Sequence, residues 1–346
     1  MNCVVYELEG PRALVPRQSR LDLEQLGPSE VGARTVYSVV SPGTELAAWR
    51  GEPPLRPSKV YPRLLGYCNL AKVVQVGSGV DDLAPGDWIL THQSHCSAFV
   101  CKRSQVLLKL EDREPEMMKG LAATYLFHLA YAALFAGDYR PGCYVSIVGI
   151  GTLGLAAAIL VRAFGGEPLL FTSQEQGGRT ANGEPFHNLF AKRCPDPAIL
   201  RELCGMEGVD ISINTSNQWS DHLLSLQLAR KGGRVVCLGF PGRGQEPPPF
   251  NPLDSRYFYD KQLSIRHCGY SPDTEAPPED IRFTKQRNLR FLSELILRGR
   301  IDPRELLSIE VSWAGLQDTY ARLESREAGV HAALLDWLDP EKRRWT

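Results

Sequence analysis

Tyr144-Val145-Ser146-Ile147-Val148-Gly149-Ile150-Gly151-Thr152-Leu153-Gly154 is the stretch whose reading decides the fold. A five-residue run of strand character leads straight into glycines spaced G-x-G-x-x-G. An Ala/Leu/Ile/Val run over 155–164 follows, stopped by Gly165-Gly166, and a second apolar strand is predicted over 168–171. The glycine spacing alone is weak. Set between a buried-type strand and a helix, it marks a dinucleotide-binding βαβ unit. Gly149 permits the tight turn, Gly151 lets the backbone approach a pyrophosphate, and Gly154 lets the helix pack close to the strand. The backbone of Thr152, Leu153 and Gly154 then presents the positive helix end to the phosphates.

The tip of the second strand sets the cofactor. A carboxylate there would accept hydrogen bonds from a ribose 2′-hydroxyl. Counting 19 residues from Gly154 reaches Ser173, with Arg179 in the loop beyond. A small hydroxyl plus an arginine suits a 2′-phosphate, so NADP is expected. Glu175 keeps NAD open.

Further βα alternation follows. Residues 189–192 and 198–203 read as helical, 209–213 as a strand, 220–230 as a helix ended by Gly232-Gly233, 234–238 as a strand, and 263–267 as another. Such alternation predicts a doubly wound parallel sheet. Asn214 and Gly239 close two of its strands, at the carboxyl ends where ligands bind. Before this region, short β-prone runs over 3–8, 34–40, 71–76, 88–90, 96–101 and 105–110 are divided by Pro/Gly clusters such as Ser41-Pro42-Gly43. They predict a small β barrel. Residues 117–135 read as helical. Towards the end, helices are expected over 280–297 and 312–323, the latter capped by Ser312, and a last strand over 331–337.

Composition narrows the function. The 346 residues are 43% hydrophobic and 23% charged, with 39 Lys+Arg against 40 Asp+Glu. A net charge of −1 argues against a nucleic-acid partner. No apolar run is long enough for a membrane span, and no signal peptide is visible at the start. Nine cysteines without a framework read as reduced thiols of a cytoplasmic protein.

The residues resemble those of the medium-chain dehydrogenase/reductase superfamily. Ser41-Pro42-Gly43-Thr44-Glu45 is similar to its Cys-Gly-Thr-Asp segment. Leu65-Gly66-Tyr67-Cys68, followed by Val73-Val74-Gln75-Val76-Gly77-Ser78-Gly79, is similar to its Gly-His-Glu segment and the strand after it. Pro85-Gly86-Asp87-Trp88 and Pro141-Gly142 also fit. The resemblance implies an α/β protein: a GroES-like β domain over 1–136, a doubly wound parallel (Rossmann) sheet domain over 137–275, and a C-terminal return to the first domain over 276–346. It also implies a homodimer and a small-molecule substrate held between the domains.

The departures from the family pattern matter more. Where metal-dependent members carry zinc-binding Cys and His, this chain has Pro42 and Tyr67, with Cys68 at the Glu. The third ligand position falls near Tyr125, and the structural-zinc lobe is missing, since 91–101 holds only Cys96 and Cys101. Proline cannot bind zinc and tyrosine rarely does. The chain therefore resembles the zinc-independent branch that contains bacteriochlorophyllide-type dehydrogenases and related biosynthetic oxidoreductases, and no metal is expected.

Without a metal, the cofactor supplies the hydride while the protein handles a proton and a developing alkoxide. Thr44, at the family's proton-relay position, and Tyr67, at the lost ligand, are the catalytic candidates. Glu45, His95, Tyr125 and His128 are candidate substrate contacts. The expected reaction is interconversion of an alcohol and a ketone or aldehyde. Two other readings stay open at this point: an NADPH-dependent reductase of activated C=C bonds, and a dinucleotide-binding protein without turnover.

Overall fold

The computed structural model describes residues 1–53, 60–173, 188–268, 283–327 and 329–338. Two compact units divide the chain. The first comprises 1–125, 272–298 and 307–346, and the second 126–271 and 299–306.

The first unit opens with strands β1 (Asn2–Gly10), β2 (Ala13–Arg20) and β3 (Glu30–Val39), then helix α1 (Pro42–Arg50). Strands β4 (Arg63–Leu64), β5 (Asn69–Val76), β6 (Trp88–Thr91), β7 (Ala98–Lys102) and β8 (Val106–Leu110) follow, then helix α2 (Pro115–Leu121). The turn expected at Ser41-Pro42-Gly43 is the start of α1. Pro42 stands at its first position, where a fixed φ and a missing N–H suit a helix start. β3 and β6 are buried along almost their whole length, and Val31, Ala33, Ala71, Val73, Ile89 and Phe99 form a shared core.

Helix α3 (Thr124–Ala136) carries the chain into the second unit. The compact units part after Tyr125. Tyr131 of α3 and the following Tyr139 both pack their rings on Phe164, which binds most of the helix to the second unit. There β9 (Val145–Val148), α4 (Thr152–Ala163), β10 (Leu169–Thr172), β11 (Leu189–Ala191), α5 (Pro197–Cys204), β12 (Val209–Asn214), α6 (Trp219–Leu228), β13 (Ala229–Cys237), α7 (Ser255–Phe258) and β14 (Ser264–His267) succeed one another. The six strands form one parallel sheet in the order β11-β10-β9-β12-β13-β14, which is the 3-2-1-4-5-6 order of a doubly wound dinucleotide fold. Residues 189–191 are a strand and not a helix: Leu189 pairs with Leu170, and Phe190 stacks on Phe171 at 5.3 Å. The helix read over 220–230 ends at Leu228, and Arg230 and Lys231 already belong to β13.

The chain then returns to the first unit through α8 (Lys285–Leu297), β15 (Leu307–Ser312), α9 (Leu316–Glu324) and β16 (Ala332–Asp336). β16 pairs with β3, giving the order β15-β16-β3-β5-β6-β8, with β7 also on β3. The return thus completes the first unit's large sheet. Ser312 does not cap a helix by its side chain. A 3-10 turn (Trp313–Gly315) intervenes before α9. The Trp313 ring stacks on Trp337 at 5.7 Å, and Tyr6 Oη donates to the Trp313 carbonyl. All nine cysteines are free thiols. Among the described residues no helix is long and apolar enough to cross a membrane.

Candidate active site

In the second unit the turn after β9 is built to leave room. Gly149 has φ +96°, a region that favours glycine, and its N–H donates to Phe171 O at 2.9 Å. Thr215, just past β12, clamps the turn by donating its hydroxyl to Gly149 O at 2.6 Å. A Cβ on Gly154 would lie 1.9 Å from that same oxygen, so only glycine lets α4 approach β9 this closely. Gly151 is different. It is exposed, caps α4, and a Cβ there would meet nothing within 4 Å. The space before the helix is open, and Leu155 N, donating to Gly151 O, begins the intrahelical bonding only there. Open space at a positive helix end fits a pyrophosphate.

A second observation favours a ligand at this edge. Asn214 pairs in register with Val148, directly before the turn, and is fully buried. Its Oδ1 accepts Ser216 N at 2.9 Å, while its Nδ2 is a buried donor with no acceptor among the described residues. Such a donor costs about 1–3 kcal/mol unless a group is supplied to it. Gly239 serves the scaffold: its N–H donates to Asn214 O at 3.0 Å, and a Cβ would press to 2.5 Å from Ser216 O. Thr152 is buried and Leu153 half-buried, so both would contribute through backbone. Ser173 stands exposed just beyond β10. Arg179 and Glu175 lie outside the described residues. His128 is buried in α3, away from solvent.

In the first unit, Tyr67 and Thr44 are brought together. The Tyr67 phenol is hydrogen-bonded to the hydroxyl of Ser41, and the Thr44 hydroxyl lies near enough to favour its anion. Burial pushes that phenol far above the usual tyrosine range, and the two hydroxyl contacts oppose the shift. Tyr125 lies edge-on to Tyr67 at 5.8 Å. His92 stacks edge-on to Tyr125 at 4.3 Å, and its Nδ1 is 3.1 Å from Tyr67 O. A carbonyl only accepts, so Nδ1 carries the proton. Thr44 and His92 are exposed, and Tyr67 and Tyr125 half-buried. Sequence reading missed Ser41 and His92 as members of this cluster. Ser41 stood inside what looked like a turn, and nothing in the residues around His92 singled it out.

His95 and Glu45, expected as substrate contacts, are engaged with protein partners instead. Both are buried, at 0% and 1% exposure. Both ring nitrogens of His95 are engaged: Nε2 lies 2.9 Å from Glu45 Oε2, and Nδ1 lies 2.9 Å from Ser38 Oγ. Glu45 also accepts Tyr320 Oη at 2.6 Å and Ser41 N at 2.7 Å. Trp337 Nε1 donates to Ser38 Oγ at 2.9 Å, which leaves the Ser38 proton to donate to His95 Nδ1 and makes Nε2–H the donor to Glu45. The result is a closed buried network that pins the first turn of α1 to β3, α9 and Trp337. Gly66 belongs to it by absence: at φ +91°, a Cβ would sit 2.8 Å from the His95 ring.

These residues do not fit zinc. Pro42 offers no donor atom, the Tyr67 oxygen is held by hydroxyls, and burial pushes the Cys68 thiol well up, towards its protonated form. Among the described residues no group of three or more His, Cys, Asp or Glu could hold a metal ion.

The second unit's 3-2-1-4-5-6 sheet is that of a dinucleotide-binding fold. The family model described as zinc-binding dehydrogenase matches residues 152–286, most of them in the second unit, and does not reach the segments around 41–68. The NADP-dependent alcohol dehydrogenase C 1 of Mycolicibacterium smegmatis is 25% identical over 264 residues, covering 73% of this chain and 68% of that protein. The 2-desacetyl-2-hydroxyethyl bacteriochlorophyllide A dehydrogenase of Rhodobacter capsulatus is 29% identical over 194 residues, 52% of this chain and 59% of its own. The solved L-idonate 5-dehydrogenase of Escherichia coli shares the fold with a TM-score of 0.77 at 15% identity, covering 97% of this chain and 98% of that one. These similarities support a relationship to the medium-chain dehydrogenase/reductase superfamily.

Proposed function

We propose that this protein is a zinc-independent, NAD(P)-dependent oxidoreductase that interconverts an alcohol and a ketone or aldehyde. The observation that carries the proposal is the open space in front of Gly151, with Gly154 closed hard against Gly149 O. A nicotinamide dinucleotide held there would supply or accept the hydride. The backbone of 151–154 would hold its pyrophosphate, and Asn214 Nδ2 would donate to it. Tyr67 would give the substrate oxygen its proton, with Thr44 connecting that phenol to solvent. Tyr125 and His92 would flank the substrate. Ser173, in place of a carboxylate, favours NADP. The outer strand β14 suits pairing with a second copy in a homodimer.

The test is nicotinamide oxidation at 340 nm by chelator-treated protein, against a panel of ketones, aldehydes and enones. We expect ketone or aldehyde turnover that survives chelation and falls at least 100-fold in Tyr67→Phe, the scale of a lost general acid. Turnover restored only by zinc, or confined to enones and indifferent to Tyr67→Phe, would overturn the proposal.

A further inference from the structure

Ser41 occupies the N-cap of α1, where serine ordinarily accepts a hydrogen bond from the helix's own backbone. Here its side chain makes no such bond. Its N–H goes to Glu45 Oε1 at 2.7 Å, and its hydroxyl turns instead to the Tyr67 phenol. Ser41 is 2% exposed, so water is not at hand to accept its proton. Among the described residues, Tyr67 Oη is the only partner of that hydroxyl. A buried hydroxyl proton needs an acceptor. The Ser41 hydroxyl is therefore the donor and the phenol oxygen the acceptor.

We infer that Ser41 is a positioning residue for proton transfer: it donates to the Tyr67 oxygen, leaves the phenol proton as the one free to go to a substrate oxygen, and holds the phenolate that remains. The inference rests on the proposed role of Tyr67. In the reducing direction, hydride from the bound nicotinamide and the proton from Tyr67 make the alcohol. Tyr67 then recovers a proton from the Thr44 hydroxyl, which takes one from water. Thr44 can do this because it is exposed, while Ser41 keeps its proton throughout and serves only as a fixed donor. Tyr67 Oη thus accepts from Ser41 and keeps one proton to give. Glu45 holds the arrangement from behind, since it fixes the backbone of Ser41 and is itself held by Tyr320 and His95.

The test places 2,3,5-trifluorotyrosine at position 67 of the full chain by codon suppression and follows its ionisation by 19F NMR, with no substrate present. A hydrogen bond to a charged oxygen is lost in Ser41→Ala, so the midpoint should rise by about one pH unit, a ten-fold change in the ionisation constant. Thr44→Val should raise it as well, and Ser41→Thr should restore it. The thermal midpoint should hold, because the Ser41 side chain caps nothing. If Ser41→Ala folds poorly, Ser41→Gly, a tolerated N-cap, gives the same reading. An unchanged midpoint in either variant overturns the inference. This readout needs no turnover. Loss of the Tyr67 role would appear only in the Tyr67→Phe assay, so the two failures are distinguishable.

Discussion

Gly151→Ala separates binding from folding at the dinucleotide turn. The backbone of Gly151, at φ −81° and ψ −169°, is extended and open to any residue. The new Cβ would meet nothing within 4 Å. Two small effects act on stability: alanine restricts the unfolded chain by about 0.4–1 kcal/mol, and it is a poorer N-cap than glycine by a similar amount. They oppose each other, so the thermal midpoint should move by no more than about 2–4 °C. The Cβ does, however, stand where a pyrophosphate must approach the backbone. Loss of one or two charge-assisted hydrogen bonds at about 1.5–3 kcal/mol each corresponds to at least a ten-fold rise in Kd. Gly154→Ala gives the contrast, because its Cβ would collide with Gly149 O at 1.9 Å and damage the fold itself. Calorimetric titration with NADPH and NADH, beside thermal melts, measures both. A Gly151→Ala protein that melts normally and binds both nucleotides as tightly as the parent would refute the reasoning.

Ser173→Asp should turn nucleotide preference from NADPH towards NADH by about ten-fold or more, since a carboxylate accepts from a 2′-hydroxyl and repels a 2′-phosphate. An unchanged ratio of Kd values would displace the ribose from the tip of β10. Glu45→Ala removes the acceptor of Tyr320, His95 and the Ser41 N–H at once. Breaking a buried network of this kind costs about 3–5 kcal/mol, to be read as a lower urea midpoint, and a loss below about 1 kcal/mol would show that the network does not hold α1. Burial lowers the pKa of His222 from its ordinary 6.5. The folded protein therefore resists a proton that the unfolded chain accepts, and stability is lost as pH falls below 6.5 towards the depressed value. Thermal midpoints between pH 7.5 and 5.5 should fall, and should fall less in His222→Gln. Equal slopes would contradict it.

The second unit was largely legible because its signals are local. An apolar strand, three glycines and an Ala-rich helix occur within about 20 residues, and each glycine position follows from its own backbone needs. Residues 189–192 were misread because four apolar and basic residues have no period of their own. Only pairing with β10 makes 189–191 a strand. The first unit's site was less legible because it is assembled from distant segments. His95 looked like a substrate contact, yet its partners come from Ser38 and Glu45, and the shell behind them from Tyr320 and Trp337, at the far end of the chain. Nothing within 92–96 announces them. Ser41 was hidden for another reason: a serine ahead of Pro-Gly reads as a turn, and only the structure shows its hydroxyl turned from the helix to Tyr67.

The most direct measurement is a crystal structure grown with NADPH, with diffraction recorded on both sides of the zinc absorption edge. The account predicts pyrophosphate oxygens within hydrogen-bond distance of the backbone N–H groups at 151–154, and no anomalous peak near Pro42, Tyr67 or Cys68. Nucleotide bound elsewhere with that turn empty, or zinc held at those three residues, would contradict it.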